Sequence, residues 1–182
     1  MNRSMITNSL LIRKYKKRPF SVCLIEDNKL YLQGLVHQIK NSIPNIKLSG
    51  FSRSSTFLQN LRHQPEIAIV DFNLDERSEI EGIELIQELK TKSPKTKIIV
   101  LTGEKSKLIE EECRNEGVFD YVIKEQKAIE TIAEEIKTIM DKMVTAIEKQ
   151  AFKNRVRLMV GFALTIILII IALNVFNPRA LE

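Results

Sequence analysis

Short apolar runs alternate with stretches of helical periodicity from residue 20 to about residue 150. Five of these runs are rich in β-branched or aromatic residues and predict β-strands, at 20–26 (FSVCLIE), 45–52 (NIKLSGFS), 66–71 (EIAIVD), 97–103 (KIIVLTG) and 119–125 (FDYVIKE). Apolar residues at helical spacing follow each run and predict helices over 28–41, 54–63, 81–92, 105–116 and from about Lys127 onward. Strands that alternate with helices in this way predict right-handed βαβ units. We therefore expect a doubly wound α/β fold with a five-stranded parallel sheet.

The five predicted strands differ in how continuous their apolar character is. The first, third and fourth are nearly uninterrupted, whereas the second alternates between apolar and polar residues. Parallel strands that are covered by helices on both faces read as continuous hydrophobic runs. We therefore expect the first, third and fourth strands to lie in the centre of the sheet.

Polar residues stand where the strands end. The four strand ends carry carboxylates, a hydroxyl and an amine: Glu26 and Asp27, Asp71, Thr102, and Lys124. Doubly wound sheets bind ligands at the carboxyl ends of their strands, so we expect these five side chains to face one crevice. Three clustered carboxylates repel one another and need a cation, and hard oxygen ligands suit Mg²⁺. A lysine and a hydroxyl beside them suit a phosphoryl group.

Four of these segments, LIEDN, IVDFNL, IVLTGE and YVIK, resemble the receiver domain of two-component response regulators, and the resemblance covers residues 19–140. It implies a flavodoxin-like sheet with the strand order 2-1-3-4-5. It also implies that Asp71 is a phosphoacceptor, which takes its phosphoryl group from a phosphohistidine of a histidine kinase or phosphotransfer protein.

The resemblance also assigns ligand roles around Asp71. It implies a Mg²⁺ cofactor held by Asp71, by Asp27 directly, by Glu26 through water, and by the backbone carbonyl of Asn73. The remaining roles fall on residues of the last two strand ends. Thr102 is expected to donate its hydroxyl to the phosphoryl group and Lys124 to pair with it.

Three further positions are implied to control the response. Tyr121 occupies the position of the family's switch aromatic and would move inward together with Thr102. Alternatively, Tyr121 is an edge-strand aromatic with its hydroxyl in water. Asn73 and Glu104 stand where the family tunes dephosphorylation, and they resemble the faster-hydrolysing members. The resemblance thus predicts a short-lived phosphorylated state.

The sequence departs from the family pattern at two places. Glu125 stands after Lys124 where the family usually has proline, which predicts a trans peptide bond there, because a cis bond before a non-proline residue costs about 3 kcal/mol. The second departure is the loop after Asp71, which lacks the usual proline and is longer than typical. Its acidic residues between Asp75 and Glu81 could discriminate among phosphodonors or could form a solvated surface loop.

The charge of the chain is unevenly distributed. Residues 1–18 form a basic arm, residues 20–148 carry 17 basic against 22 acidic side chains, and four more basic residues follow within 149–157. Nucleic-acid binding requires positive charge on the folded face, whereas here the globular part is acidic. We therefore expect no nucleic-acid partner.

The C-terminal part predicts a membrane anchor. Residues 158–178 contain no charged side chain, and a helix over 158–176 is about 28 Å long, close to the thickness of the hydrocarbon core. We expect a transmembrane helix at 158–177 and a short tail at 178–182. Basic residues are concentrated before the span, so the positive-inside rule predicts a single-pass protein with its receiver in the cytoplasm. Together with the resemblance to two-component regulators, this leads us to expect the bacterial cytoplasmic membrane.

A helical linker over 141–157 joins the receiver to this span. The apolar spacing that begins at Ile129 continues past residue 140, and no glycine or proline interrupts residues 126–157. A seam of this kind predicts a coiled coil, with a homodimer formed through 140–157. Alternatively, the segment lies on the bilayer, with its basic residues on anionic lipid.

Together these patterns predict a membrane-tethered receiver that signals by protein–protein contact to a downstream partner, which the sequence does not identify. Alternatively, the receiver acts as a phosphate reservoir. We expect no enzymatic activity on an external substrate, because a Mg²⁺-dependent phosphohydrolase would need a further acid or base and none stands out. The alternative function is a receiver-like membrane scaffold that binds partners without phosphorylation. The complete set of acids, Thr102 and Lys124 favours the phosphorylated receiver over this scaffold.

Overall fold

A computed structural model describes residues 19–62, 64–74 and 82–176 of the chain. Five β-strands are present: β1 (Phe20–Ile25), β2 (Ile46–Phe51), β3 (Ile67–Asp71), β4 (Lys97–Thr102) and β5 (Asp120–Ile123). Helices follow them in alternation: α1 (Lys29–Ser42), α2 (Ser54–Gln59), α3 (Gly82–Lys92), α4 (Lys107–Asn115) and α5 (Ala128–Phe176). The predicted alternation of strands and helices is confirmed.

All four strand pairings in the sheet are parallel, and the strand order is β2-β1-β3-β4-β5. The doubly wound α/β fold and the order 2-1-3-4-5 are therefore confirmed. The three most apolar strands, β1, β3 and β4, occupy the centre, because they can be buried on both faces. All five residues of β3 are buried, whereas β2, at one edge, is mostly exposed or half-buried.

The hydrophobic core lies between the central strands and the helices that cover them. Fully buried side chains come from β1, β3 and β4 and from α1, α3 and α5, among them Leu24, Ile69, Ile99, Leu35, Leu85 and Ile136. Burying each such side chain contributes about 1.5–3 kcal/mol. This core fixes the strands in register and so fixes where their carboxyl ends lie.

Helix α2 is shorter than the sequence predicts, ending at Gln59 rather than at residue 63. The amide side chain of Asn60 donates a hydrogen bond of 2.7 Å to the carbonyl oxygen of Thr56. In a continued α-helix this carbonyl would accept from the backbone N–H of Asn60. The Asn60 N–H bonds to the Phe57 carbonyl instead. An asparagine side chain that competes for a helical carbonyl ends the helix here.

Gly82 begins α3 in close contact with the residue after Asp71. A Cβ atom at Gly82 would lie 2.9 Å from Cδ2 and 3.0 Å from Cα of Phe72, and it would also overlap the Phe72 carbonyl oxygen. Only glycine allows the two backbones to approach this closely. The start of α3 therefore supports the backbone on which Asp71 is carried.

The chain divides into two compact units between Asp141 and Lys142. In the first unit α5 buries Ile132, Ile136 and Ile139, which belong to the apolar seam that the sequence shows. In the second unit the side chain of Ile147 is 48% exposed. Within the described residues α5 is the one helix long and apolar enough to span a bilayer, and none of the side chains in its apolar window is buried.

Candidate functional site

A cluster of charged side chains lies at the carboxyl ends of strands β1, β3 and β5. Asp71 is the last residue of β3, Glu26 and Asp27 follow β1, and Lys124 follows β5. Each is carried past the edge of the sheet by a strand whose register the core fixes. The structure thus brings together all four charged residues that the sequence placed at the strand ends.

Lys124 binds two carboxylates at once. Its Nζ donates a hydrogen bond of 2.7 Å to Oδ2 of Asp71 and lies 2.8 Å from Oε2 of Glu26. The two acidic side chains are only 1% and 2% exposed, and the lysine side chain is 22% exposed. This is a largely desolvated ion-paired triad, in which each charge depends on the others for compensation.

The other oxygen of each buried carboxylate accepts a backbone hydrogen bond. Oδ1 of Asp71 accepts from the Asn73 N–H at 3.1 Å, and Oε1 of Glu26 accepts from the Asn28 N–H at 3.3 Å. These bonds hold the carboxylates in fixed orientations with one oxygen of each directed to Lys124. Both bonds come from residues two positions later, in the turns that follow β1 and β3.

Burial shifts the protonation equilibria of the two acids in the same direction. Burial, with a smaller contribution from the charge of Asp71, raises the pKa of Glu26 to about 7, although Lys124 opposes this. Burial also raises the pKa of Asp71, again against Lys124. For Lys124, burial lowers the pKa, but the hydrogen bonds and charges of Asp71 and Glu26 together outweigh it, so its pKa is raised. Burial thus disfavours the charged form of both acids, and Lys124 offsets only part of that cost.

The three carboxylates fit a divalent cation. One oxygen from each of Glu26, Asp27 and Asp71 lies within 4.8 Å of the others. Carboxylate oxygens are the ligands that Mg²⁺ prefers, and a divalent cation would add positive charge beside three carboxylates that share one lysine. The residues present therefore match the predicted Mg²⁺ site. Coordination of Mg²⁺ by the backbone carbonyl of Asn73 stays a prediction.

Thr102 joins the cluster through Asn73. The buried Thr102 hydroxyl donates to Oδ1 of Asn73 at 2.8 Å and accepts from the Glu104 N–H at 3.1 Å. Because the Asn73 N–H bonds to Asp71, a hydrogen-bonded path runs from the end of β4 to the end of β3. The side chain of Asn73 is thus a structural link that the sequence did not reveal.

Tyr121 lies on β5, which is an edge strand as predicted. Its hydroxyl donates a hydrogen bond of 2.9 Å to the backbone carbonyl of Glu104, so water is not its only partner. The half-buried ring packs against the core cluster that includes Val100 and Cys113. The switch role of Tyr121 stays a prediction.

Tyr31 is a site residue that sequence reasoning missed. Its ring lies beneath the ammonium group of Lys124, with Nζ 5.0 Å from the ring centroid. The signal that could have found it is position, because Tyr31 lies in the first turn of α1, directly after the strand end that carries Glu26 and Asp27.

The two departures from the family pattern have different outcomes. No peptide bond among residues 19–62, 64–74 and 82–176 is cis, so the predicted trans bond between Lys124 and Glu125 is confirmed. Glu125 instead forms an exposed ion pair with Lys105. The acidic loop at 75–81, the basic arm at 1–18 and the tail at 178–182 lie outside the described residues.

Solved structures of response regulators and of their receiver domains share this fold. A DNA-binding response regulator of the LuxR family from Staphylococcus aureus is 23% identical with a TM-score of 0.59, covering 66% of this chain and 98% of that chain. A CheY-like receiver domain protein from Methanospirillum hungatei is 19% identical with a TM-score of 0.62 and covers 70% and 98%. The receiver domain of RcsB from Salmonella enterica, determined with phosphomimetic BeF₃⁻, is 24% identical with a TM-score of 0.55 and covers 72% and 90%. At these identities the likeness establishes the fold alone.

Sequence comparison identifies the family. No curated protein matches the chain in a direct search. The family described as the response regulator receiver domain matches residues 22–137. This range contains all the side chains of the cluster and all five strands, apart from the first two residues of β1. Because this match covers more than half of the sequence, the chain belongs to the response regulator receiver domain family.

Proposed function

We propose that this chain is a membrane-tethered receiver that accepts a phosphoryl group on Asp71 from a histidine kinase or phosphotransfer protein. The observation that supports the proposal most strongly is the triad of Asp71, Glu26 and Lys124 in one largely desolvated cluster. A structural ion pair requires two charges, whereas this cluster contains three carboxylates for one lysine. A site of this composition suits a metal ion and a phosphoryl group.

In the proposed step a carboxylate oxygen of Asp71 attacks the phosphorus of a phosphohistidine. The new O–P bond forms as the P–N bond breaks, and the electron pair of that bond stays on the imidazole nitrogen of the donor. Asp71 is oriented for this by the Asn73 N–H. Lys124, already at Asp71, places positive charge where the phosphoryl oxygens arrive.

Receiver domains typically bind Mg²⁺ at an acidic pocket, and Glu26, Asp27 and Asp71 form an acidic cluster in this chain. We propose that these residues hold Mg²⁺. The bound ion would supply the positive charge that offsets repulsion between the carboxylates and the incoming phosphoryl oxygens. The chain transfers the phosphoryl group to its own side chain, so we propose that it is not an enzyme for external substrates.

The path from Asp71 through Asn73 to Thr102 supports a switch. A phosphoryl group on Asp71 competes with Asn73 for the Thr102 hydroxyl, and the Glu104 N–H is bonded to that same hydroxyl. Tyr121 in turn is bonded to the Glu104 carbonyl, so movement of Thr102 would disturb the contact that holds Tyr121 in its present position. We propose that Asn73 and Glu104 also set the short lifetime of the phosphorylated state.

The proposed phosphotransfer is tested by incubating the full chain, in a mild detergent, with acetyl phosphate and Mg²⁺ and measuring the intact mass. We expect one adduct of about 80 Da, the mass of a phosphoryl group. Asp71→Asn, which keeps the size of the side chain, is expected to abolish the adduct. Asp120→Asn, at the opposite end of β5 from Lys124, is the matched control and should retain it.

The same measurement separates the competing functions. No adduct in the wild-type chain would support the scaffold that binds partners without phosphorylation. Continuous consumption of the donor beyond one equivalent, independent of Asp71, would indicate a phosphohydrolase. Either result would overturn the proposal. Decay of the adduct within minutes after donor removal is expected from the proposed roles of Asn73 and Glu104, and a lifetime of many hours would contradict those roles.

We propose that residues 158–177 anchor the protein in the cytoplasmic membrane with the receiver in the cytoplasm. The support is a helical segment with no charged residue whose apolar side chains are exposed, including Leu158, Phe162 and Leu173 at more than half of their area. Contiguous exposed apolar surface of this extent is unfavourable in water. The predicted homodimer through 140–157 and the alternative of a segment lying on anionic lipid both stay predictions.

Replacing Ile167 and Ile170 together with lysine is expected to release the protein from membranes. Each charge in the middle of a bilayer costs about 2.5–3.5 kcal/mol, enough to prevent stable insertion when two are present. Flotation of membranes from lysed cells that express the protein measures its membrane association. Wild type should float with the membranes, and the variant should remain at the bottom of the gradient. The control changes the same two residues to leucine and should float. A lysine variant that floats as wild type does would contradict the anchor.

A further inference from the structure

The ammonium group of Lys124 contacts three different groups that stabilise its positive charge. Two partners are the carboxylates of Asp71 and Glu26, at 2.7 and 2.8 Å. The third is the face of the Tyr31 ring, whose centroid lies 5.0 Å from Nζ. A cation within about 6 Å of a ring centroid is attracted by the negative charge of the π face.

Tyr31 is itself held in place by the start of α1. The side chain of Asn28 caps this helix, accepting hydrogen bonds of 3.1 Å from the N–H groups of both Leu30 and Tyr31. Asn28 also donates its own N–H to Glu26. The turn that carries the ring is thus connected to the carboxylate that shares its lysine, so ring and carboxylate have a common support.

A ring differs from a carboxylate as a partner for Lys124 because it is neutral. A further acid at this position would hold the ammonium group equally well, but it would add a charge beside three existing carboxylates. That charge would repel an incoming phosphoryl group. An aromatic face attracts the cation without this repulsion.

We propose that Tyr31 is a positioning residue, which holds the Lys124 ammonium group at Asp71 through its ring face so that the lysine can receive a phosphoryl group. The inference rests on the proposed phosphotransfer to Asp71. Tyr31 acts through Lys124, and its hydroxyl group has no part in the effect. Glu26 and Tyr31 both contact the lysine ammonium group, at 2.8 Å and, to the ring centroid, 5.0 Å. When the phosphoryl group arrives, the lysine can exchange a carboxylate for a phosphoryl oxygen while the ring contact remains.

Two variants of Tyr31 test this in the full chain in detergent. Tyr31→Phe keeps the ring face, and Tyr31→Leu keeps an apolar side chain without a π face. With acetyl phosphate and Mg²⁺, we expect Tyr31→Leu to form the adduct about five-fold more slowly, and Tyr31→Phe to stay within about two-fold of wild type. A variant that merely disturbed packing would not show this dependence on the ring.

A second measurement reports the contact without any phosphorylation. With lysine labelled by ¹³C at the ε carbon, the methylene protons of Lys124 beside the ring face should show an upfield ring-current shift in NMR spectra. Their signal is assigned by its loss in Lys124→Arg. We expect the shift to persist in Tyr31→Phe and to disappear in Tyr31→Leu.

The two readouts keep the inference separate from the proposed function. If wild type forms no adduct, the proposed function fails, and the lysine shift still decides whether Tyr31 holds Lys124. If wild type forms the adduct and Tyr31→Leu matches it in rate and in lysine shift, the role of Tyr31 is wrong. An equal loss of rate in Tyr31→Phe and Tyr31→Leu would also overturn it, because the hydroxyl would then be the acting group.

Discussion

Replacing Lys124 with methionine is expected to destabilise the folded receiver by about 3 kcal/mol in metal-free buffer and to slow phosphorylation of Asp71 about 100-fold. The substitution keeps a long side chain but leaves the carboxylates of Asp71 and Glu26 buried without their shared counter-charge. Removing one partner of a buried ion pair is costly because the remaining charge cannot be solvated. Urea unfolding of the full chain in detergent, followed by circular dichroism, measures the stability.

An exposed lysine ion pair provides a matched control for the buried one. Lys105 forms an ion pair with Glu125, and the side chains of this pair are 69% and 55% exposed. Lys105→Met should therefore cost less than about 1 kcal/mol, as exposed ion pairs do. In addition, Lys124→Met should cost much less when Asp71→Asn and Glu26→Gln are already present. Equal costs for the two lysine substitutions would show that the buried triad is not an interacting unit.

The apolar pattern of the sequence was sufficient to predict where the charged residues meet. A continuous run that ends in Asp71 can only be a central strand, and parallel strands direct their carboxyl ends to one edge. The position of Asp71 beside Glu26 and Lys124 follows from this rule and from the strand order. The doubly wound fold and the common edge were thus predicted from the strand periodicity, whereas the strand order came from the resemblance to receiver domains.

The contacts between the side chains were not contained in that pattern. Lys124 was expected to pair with a phosphoryl group. In the structure it contacts both Asp71 and Glu26, because a long lysine side chain can reach the ends of both β3 and β1. The bond from Thr102 to Asn73 depends on the conformation of the turn after β3. Strand periodicity carries no information on either, since both depend on side-chain direction beyond the strand ends.

Local competition for hydrogen bonds explains the element that was predicted too long. Helical periodicity extends through residue 63, yet α2 ends at Gln59 because the Asn60 side chain takes the Thr56 carbonyl. Tyr31 was missed for a related reason. Its role arises only when α1 follows β1 at a tight turn, which the Asn28 cap fixes. Both cases involve asparagine, whose short amide side chain bonds to nearby backbone groups.

The metal-free receiver is expected to become more stable as the pH falls from 8 to about 5. Burial raises the pKa of Glu26 from its ordinary value of 4.5 to about 7, and the pKa of Asp71 is raised in the same direction. Between pH 4.5 and about 7, the ordinary and the raised pKa of Glu26, the folded state binds more protons than the unfolded state. Lowering the pH therefore favours folding. The raised pKa of Lys124 has no effect below pH 8. We expect a gain of about 2 kcal/mol, measured by urea unfolding in the presence of EDTA.

Glu26→Gln separates this effect from other titrations. The variant should be more stable than wild type at pH 8, where the wild-type carboxylate is charged and desolvated, and it should lose most of the pH dependence. Glu104→Gln, at an exposed acid outside the triad, should keep the wild-type profile. Saturating Mg²⁺ should abolish or reverse the slope in wild type, because metal binding requires deprotonated carboxylates and therefore strengthens as the pH rises. The prediction would be contradicted if wild-type stability fell steadily from pH 8 to 5 in EDTA and Glu26→Gln behaved identically. The pKa of the buried Glu26 would then not be raised in the folded state.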